Sequence, residues 1–232
     1  MKPTQLAEKV DYWKARDKSV WGEGDPETLK LLANAQLSGR WLNLAAGDGR
    51  YNLLLLEKAD SVVATDADEN ALAKLQQNTP EEYRGRLEVR AFDLLDPFPF
   101  KEAEFDGVFC TGALHFFNEN ELRRIFGEIS RVLKPGGQLI FDFPTNIRRQ
   151  LPDGSCLCFK QDEPRYSLEQ ARETLVNLLK NYRLEIKVSE VPGQKTDVGE
   201  YSYVFSCKFL LVRAQKRARP RTETVQFIKL GC

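Results

Sequence analysis

Residues 41–50 read WLNLAAGDGR, and residues 62–66, after a leucine-rich run, read VVATD. Two apolar segments separated by a glycine turn and a longer apolar run predict a strand, a tight turn, a helix and a second strand. Gly47 and Gly49 let the backbone approach a ligand closely, and the start of the helix presents free N–H groups. Asp66 ends the second strand, where an acid of a βαβ unit can accept hydrogen bonds from a ribose. The stretch therefore predicts an adenosine-binding site.

Two adenosine-containing cofactors fit this stretch, and the residue type at position 52 distinguishes between them. A dinucleotide fingerprint has a third glycine three residues after the second, at the position that Asn52 occupies here. The pattern instead resembles motif I of the class I S-adenosylmethionine (SAM) dependent methyltransferases, acid-x-Gly-x-Gly-x-Gly. Asn43 stands at the acidic position of that motif and Ala45 at its first glycine. Asn43 can still accept a hydrogen bond from the methionine ammonium group, but without a charge, so we expect somewhat weaker cofactor binding.

Composition and charge limit the classes of partner. The chain has 232 residues, of which 42% are hydrophobic, enough to bury the core of one α/β domain. Basic and acidic residues number 34 each, so no net charge attracts nucleic acid or an anionic membrane, and neither DNA nor a membrane is expected as a partner. The five cysteines are odd in number and include no CxxC pair, which indicates reduced thiols in a cytoplasmic protein without a metal site. No signal sequence is expected at the N-terminus.

Segments of strand length alternate with segments of helix length after this unit. Further strands are predicted over 87–92, 105–110, 138–143, 183–189 and 200–212. Helices are predicted over 4–20, 27–36, 67–78, 119–133 and 168–181. The alternation predicts an α/β fold with a doubly wound, Rossmann-like, mostly parallel sheet. The last two strands are separated only by a turn at Pro192-Gly193, so they predict an antiparallel terminal hairpin and seven strands in all.

A single domain is expected over residues 1–232. Its parts are an N-terminal helical lid (1–38), a SAM-binding core (39–143), a substrate-side loop with a helix and antiparallel strands (144–214), and a basic tail (215–232). Ordinary packing across the sheet is the simpler interpretation of the aromatic residues in the lid. Residues 224–230 could add a strand at the edge of the sheet.

The resemblance to class I methyltransferases extends over residues 40–143. After motif I and Asp66, the chain matches the family at Phe92-Asp93-Leu94, at 105–108 leading into Gly112-Ala113-Leu114-His115, and at 131–137. The resemblance implies that SAM is the cofactor. The residues it assigns to the cofactor site are Asn43, Ala45, Gly47, Gly49, Asp66, Ala67, Asp93, Leu94 and Thr111. Within this set, Gly47 and Gly49 would pass the methionine part, Asp66 would bind the ribose hydroxyls and Asp93 the adenine amino group. A helix N-cap for Asp66 and a turn-forming acid for Asp93 are the alternatives.

The side that faces the methyl acceptor has fewer signals. His115, the chain's one histidine, follows the fourth strand, and it is a candidate general base for a hydroxyl acceptor, as in plant-type O-methyltransferases; a half-buried turn is the alternative. Arg148 and Arg149 could clamp a carboxylate or phosphate, although a solvated basic turn is the interpretation we favour. Cys110 follows Phe109 and not a proline, which favours a packed thiol over the nucleophile of a cytosine methyltransferase.

The sequence thus predicts a SAM-dependent methyltransferase that moves a methyl group to an oxygen, nitrogen or similar nucleophile of a small molecule. In-line displacement needs alignment more than an acid or base. Three alternatives stay open. Asn52 disfavours a nicotinamide oxidoreductase, the basic run 216–221 allows an RNA or protein methyltransferase, and Asn43 with Ala45 allows a SAM-binding protein without transfer activity.

Overall fold

One seven-stranded sheet organises the computed structural model, which describes residues 10–159, 162–198 and 201–218. The strands are β1 (Arg40–Leu44), β2 (Ser61–Asp66), β3 (Leu87–Ala91), β4 (Phe105–Cys110), β5 (Leu133–Gln150), β6 (Tyr182–Val198) and β7 (Tyr201–Lys216). Their order across the sheet is β3-β2-β1-β4-β5-β7-β6. The first five strands pair in parallel, and β7 is antiparallel to both β5 and β6. The predicted seven-stranded, mostly parallel sheet with an antiparallel hairpin is confirmed.

Helices cover both faces of this sheet. They are α1 (Pro26–Asn34), α2 (Asn52–Leu56), α3 (Glu69–Asn78), α4 (Glu81–Arg84), α5 (Glu119–Val132) and α6 (Leu168–Leu178). Trp41 on β1 packs with buried residues of α1 and α2, while the next residue, Leu42, joins the larger core that α5 and α6 close from the other face. Successive side chains of a strand point to opposite faces, and burial on both faces makes the strands apolar throughout. In the part of the chain that is described, no helix has the length and apolar character to cross a membrane.

The direction of winding reverses between β1 and β4. Strand β1 pairs in parallel with β2 on one side and with β4 on the other. Open α/β sheets bind their ligands at such a switch point, outside the carboxyl ends of the strands. The turn after β1, the end of β2 and the residues after β4 therefore border one crevice.

The predicted helix over 4–20 is wrong where the structure describes it. Between residues 10 and 20 the only helical element is a single 3-10 turn, Tyr12–Lys14, and residues 1–9 lie outside the described part. No large apolar side chain occurs from Lys14 to Ser19, so a helix there would have no continuous face to bury. The next predicted helix, 27–36, is present as α1.

The substrate-side region is more regular than its polar sequence suggests. Residues 144–150, predicted as loop, extend β5 because they pair with β7, and a register shift after Thr145 absorbs the irregularity. The turn predicted at Pro192-Gly193 is also wrong, since these two residues lie opposite one residue of β7 as a bulge inside β6. Residues 224–230, and most of the basic tail from residue 219 onward, lie outside the described residues.

Candidate active site

The turn after β1 has an unusual backbone conformation. The φ angles of Ala45, Gly47 and Gly49 are +49°, +55° and +95°, all in the left-handed region. Only glycine adopts this region without a steric cost, which is roughly 1–2 kcal/mol for other residues. Ala45 therefore occupies a position whose geometry suits glycine. A Cβ at Gly49 would lie only 3.0 Å from Leu75 Cγ, so the turn packs directly on α3.

Asp66 lies beside this turn at the end of β2. Its Oδ2 accepts a hydrogen bond from the Gly47 N–H at 2.8 Å, and its Oδ1 accepts from the Asp68 N–H at 3.0 Å. Burial is the main cause that raises the pKa of Asp66, and the side chain stays partly exposed. The N-cap of α3 is Asp68, which accepts from Asn70 N, so the alternative of a helix cap for Asp66 is wrong. Ala67, between the two acids, is exposed.

Two asparagines lie under the turn. Asn43, 3% exposed, donates from Nδ2 to Asn52 Oδ1 at 3.1 Å. The Nδ2 of Asn52 is buried and has no hydrogen-bond partner among the described residues. A buried donor without a partner is costly, so a polar group supplied by a ligand would relieve it.

The remaining predicted cofactor residues follow β3 and β4. Asp93 is exposed after β3, and its Oδ1 accepts from Leu95 N at 2.8 Å. Asp93 thus forms a turn, which was the alternative to its predicted role in binding adenine. Leu94 is partly buried against the larger core. Strand β3 continues directly beside Asp66, whose carbonyl oxygen accepts from Phe92 N at 3.1 Å. On the other side of β1, Thr111 is partly exposed.

Residues 42–141 match the family described as methyltransferase domain. An uncharacterized methyltransferase of Synechocystis is 34% identical over 41% of this chain and 42% of its own length. A glycine/sarcosine N-methyltransferase of Parasynechococcus marenigrum is 34% identical over 50% of this chain and 41% of its own length. The solved complex of DhpI with S-adenosylhomocysteine (SAH) has a TM-score of 0.60 at 23% identity, covering 84% of both chains. A SAM-dependent methyltransferase from Methanosarcina mazei has a TM-score of 0.61 at 19% identity, covering 84% of this chain and 99% of the other.

Residues 42–141 therefore carry the match to a methyltransferase domain, and the solved methyltransferases share the fold of this chain. The chain spans less than half the length of the Synechocystis and Parasynechococcus relatives. The structural neighbours share the fold, and the DhpI structures among them hold SAH or SAM.

The residues of the turn fit SAM. Gly47 leaves open the space that a Cβ would fill, Asp66 offers a partly exposed carboxylate beside it, and Asn52 offers its unpartnered amide donor. Asn43 and Ala45 differ from the family motif, yet Ala45 keeps the backbone conformation of the glycine it replaces. When bound, SAM supplies an electrophilic methyl group on a sulfonium centre.

A buried ion pair fastens the N-terminal segment to the turn. Asp48 and Lys74 have fully buried side chains, and Lys74 Nζ lies 3.0 Å from Asp48 Oδ2. The same carboxylate accepts from Ser19 Oγ at 2.6 Å and from Val20 N at 2.7 Å, while Lys74 Nζ also donates to the Lys18 carbonyl at 2.6 Å. Sequence reasoning missed this pair, because a lysine on a helix is ordinarily exposed and no spacing links it to Asp48.

Trp21, which follows this segment, forms an aromatic wall together with Phe116 and Phe159. A Cβ at Gly47 would lie 3.6 Å from Trp21 Nε1. The Phe159 ring centroid lies 6.2 Å from that of Trp21 and 5.9 Å from that of Phe116. All three side chains are partly exposed, so the wall is not closed off from solvent. Apolar walls with few polar groups are typical of small-molecule sites.

His115 packs against Phe116 of the aromatic wall. Its ring centroid is 3.9 Å from that of Phe116, its side chain is 5% exposed, and its Nδ1 has no hydrogen-bond partner within the described residues. Burial, followed by the charge of Arg149, lowers the pKa of His115 to about 3. The histidine is therefore uncharged at neutral pH, and its role as a base stays a prediction.

Arg148 and Arg149 separate in the structure. Arg148 is exposed, but Arg149 is 4% exposed, so the favoured interpretation of a solvated turn is wrong for Arg149. Arg149 Nη1 donates to both carboxylate oxygens of Glu163, at 2.7 and 2.9 Å. Glu163 was not a candidate, because its sequence neighbourhood carries no motif.

Cys110 is fully buried at the end of β4, and burial raises the pKa of its thiol, as expected of a packed thiol.

Proposed function

We propose that this protein transfers the methyl group of SAM to an oxygen, nitrogen or similar nucleophile of a small molecule. The observation that carries the proposal is the contact of Asp66 Oδ2 with the Gly47 N–H at 2.8 Å. It joins the acid at the end of β2 to the glycine turn after β1, the two parts of an adenosine site that lie apart in sequence.

The aromatic wall supports a small-molecule acceptor. Trp21 lies next to Gly47, where the methionine part of SAM is expected by resemblance to the family, and Phe159 and then Phe116 continue the wall from Trp21. An acceptor held against these rings would be aligned with the methyl group, and alignment of two reactants is worth about 7–11 kcal/mol. The proposal places the protein in the cytoplasm, since the four cysteines in the described residues are all free thiols.

Four of the predicted cofactor residues, together with Asn52, receive a specific role in this proposal. Asp66 holds the ribose hydroxyls, and the backbone of Gly47 and Gly49 passes the methionine part. Asn43 and Asn52 supply amide groups to its polar end, in place of the usual acid. The complete predicted set is Asn43, Ala45, Gly47, Gly49, Asp66, Ala67, Asp93, Leu94 and Thr111.

Formation of SAH tests the proposal. The full chain is incubated with SAM and a panel of small amines, hydroxy compounds and thiols, and in parallel with RNA and with protein. SAH is measured by mass spectrometry together with any product heavier by one methylene unit. Transfer to a member of the panel supports the proposal. Binding of SAM with no transfer to any of them favours the SAM-binding protein, and transfer only to RNA or protein overturns the small-molecule acceptor.

A further inference from the structure

We propose that Arg149 binds the carboxylate of the methyl acceptor, so that the substrates of this site are small carboxylic acids with an apolar body. The inference rests on the proposed function and adds the substrate class to it. It follows from the hydrogen bonds, the burial and the surroundings of one guanidinium group.

One edge of the Arg149 guanidinium is unused. Both of its described hydrogen bonds leave from Nη1 and end on Glu163. Its Nε is buried and has no hydrogen-bond partner in the residues that the structure describes. A guanidinium has five N–H donors, and the Nε–Nη2 edge presents two parallel donors that match the two oxygens of a carboxylate.

The guanidinium is held rigidly in place. Its Cζ lies 4.2 Å from the ring centroid of Phe159 and 5.9 Å from that of Phe116. Glu163 is itself fixed, because it is 8% exposed and its Oε2 also accepts from Phe159 N at 3.1 Å. The aromatic stacking and the bond to Glu163 orient the planar group before a ligand arrives, which lowers the entropy that binding costs.

Charge selects a carboxylate over a phosphate. Glu163 already neutralises the Arg149 guanidinium, and His115 is uncharged beside it because its pKa is lowered to about 3. A monoanion adds one negative charge, shared between the two donors of the open edge. A phosphate dianion would add two, which a single paired arginine cannot balance in a buried site.

The position of this edge matches an acceptor site. Arg149 packs on Phe116 and Phe159, and Trp21, which contacts Phe159, also borders Gly47. A molecule whose carboxylate rests on Arg149 and whose apolar body covers the aromatic wall would extend its far end toward the methionine side of the turn. The nucleophile of the acceptor is expected at that end.

Phenylacetate serves as the probe, with phenylacetamide and phenyl phosphate for comparison. Binding to the full chain saturated with SAH is measured by calorimetry or ligand-observed NMR. We expect phenylacetate to bind at least about tenfold more tightly than phenylacetamide or phenyl phosphate. Equal binding of the neutral amide, or tighter binding of the phosphate, would overturn the proposal.

Arg149→Lys tests the edge itself, because lysine keeps the charge opposite Glu163 but lacks the two parallel donors. We expect about a tenfold loss of phenylacetate affinity with SAM affinity unchanged, whereas Arg148→Lys, at the exposed neighbour, should leave both unchanged. A double variant, Arg149→Met with Glu163→Gln, should show the same loss without leaving a buried charge unpaired.

A tenfold loss of SAM affinity in Arg149→Lys would assign the edge to the carboxylate of the cofactor and overturn the proposal. Since probe binding is read without turnover, absence of methyl transfer would refute the proposed function alone.

Discussion

Asp142 is a buried carboxyl group on β5 whose Oδ1 accepts from Gly112 N at 2.7 Å. Burial raises its pKa from 3.8 to about 7. The folded chain therefore keeps a proton that the unfolded chain releases between about pH 4 and pH 7, and stability falls as the pH rises through that window.

The variant Asp142→Asn keeps an acceptor for Gly112 N–H and carries no charge. We expect it to be more stable than the wild type at pH 8, by roughly 2–4 kcal/mol, and the difference to shrink steadily as the pH approaches 4.5. Urea denaturation of both proteins without SAM measures this. A difference that does not change with pH would contradict the raised pKa.

His115 gives the opposite dependence, because its pKa is lowered from 6.5 to about 3. The unfolded chain takes up a proton below about pH 6.5 that the folded chain refuses, so stability is lost as the pH falls through this window. In His115→Gln we expect unfolding at a lower pH, measured by acid titration, with SAM affinity within about twofold of the wild type. A loss of activity of about 100-fold or more at pH 7 would instead support the general base.

At the scale of elements, the segment before α1 depends on the ion pair of Asp48 and Lys74. Lys74→Met leaves a buried carboxylate without its cation, for which we expect a loss of about 3–5 kcal/mol. The variant should also release the segment around Ser19 to limited proteolysis. Arg123→Ala is the control, since its partner Glu119 is exposed on α5 and such a pair contributes about 0.3–0.5 kcal/mol. Equal losses in denaturant would show that the buried pair has no special role.

The sequence predicted best those strands whose burial can be recognised from their own residues. β1, β2 and β4 are short apolar runs between turn residues, and parallel strands covered on both faces read this way. The extension of β5 was missed because residues 144–150 are polar, and only pairing with β7, some 60 residues later, makes them a strand. Long-range pairing of this kind overrides local propensity.

The candidate site also contains residues that the sequence could predict and residues that it could not. The glycine turn and Asp66 were predictable, since spacing within one βαβ unit places them together, and the structure joins them through Gly47. Burial of Arg149 was not, because it depends on Glu163 and on two rings that converge from separate segments. Burial of Lys74 was not predictable either, because nothing in the sequence of its helix indicates that Asp48 is its partner.

At the scale of the whole molecule, the sheet brings the cofactor turn and the aromatic wall to one edge. Their adjacency explains how one site could hold both reactants in the proposed function, which depends first of all on the proposed adenosine site. Asp66 is the residue whose role in that site rests on both the sequence pattern and a direct contact with the turn.

Calorimetric titration with SAM, of the wild type and of Asp66→Ala, tests the central claim most directly, with Asp96→Ala as an exposed control from the loop after β3. The wild type and the control should bind SAM equally, and NADH should not bind. The Asp66→Ala variant should bind SAM about 10- to 150-fold more weakly, because a charge-assisted hydrogen bond contributes roughly 1.5–3 kcal/mol. Folded wild-type protein that fails to bind SAM, or unchanged affinity in Asp66→Ala, would contradict the account.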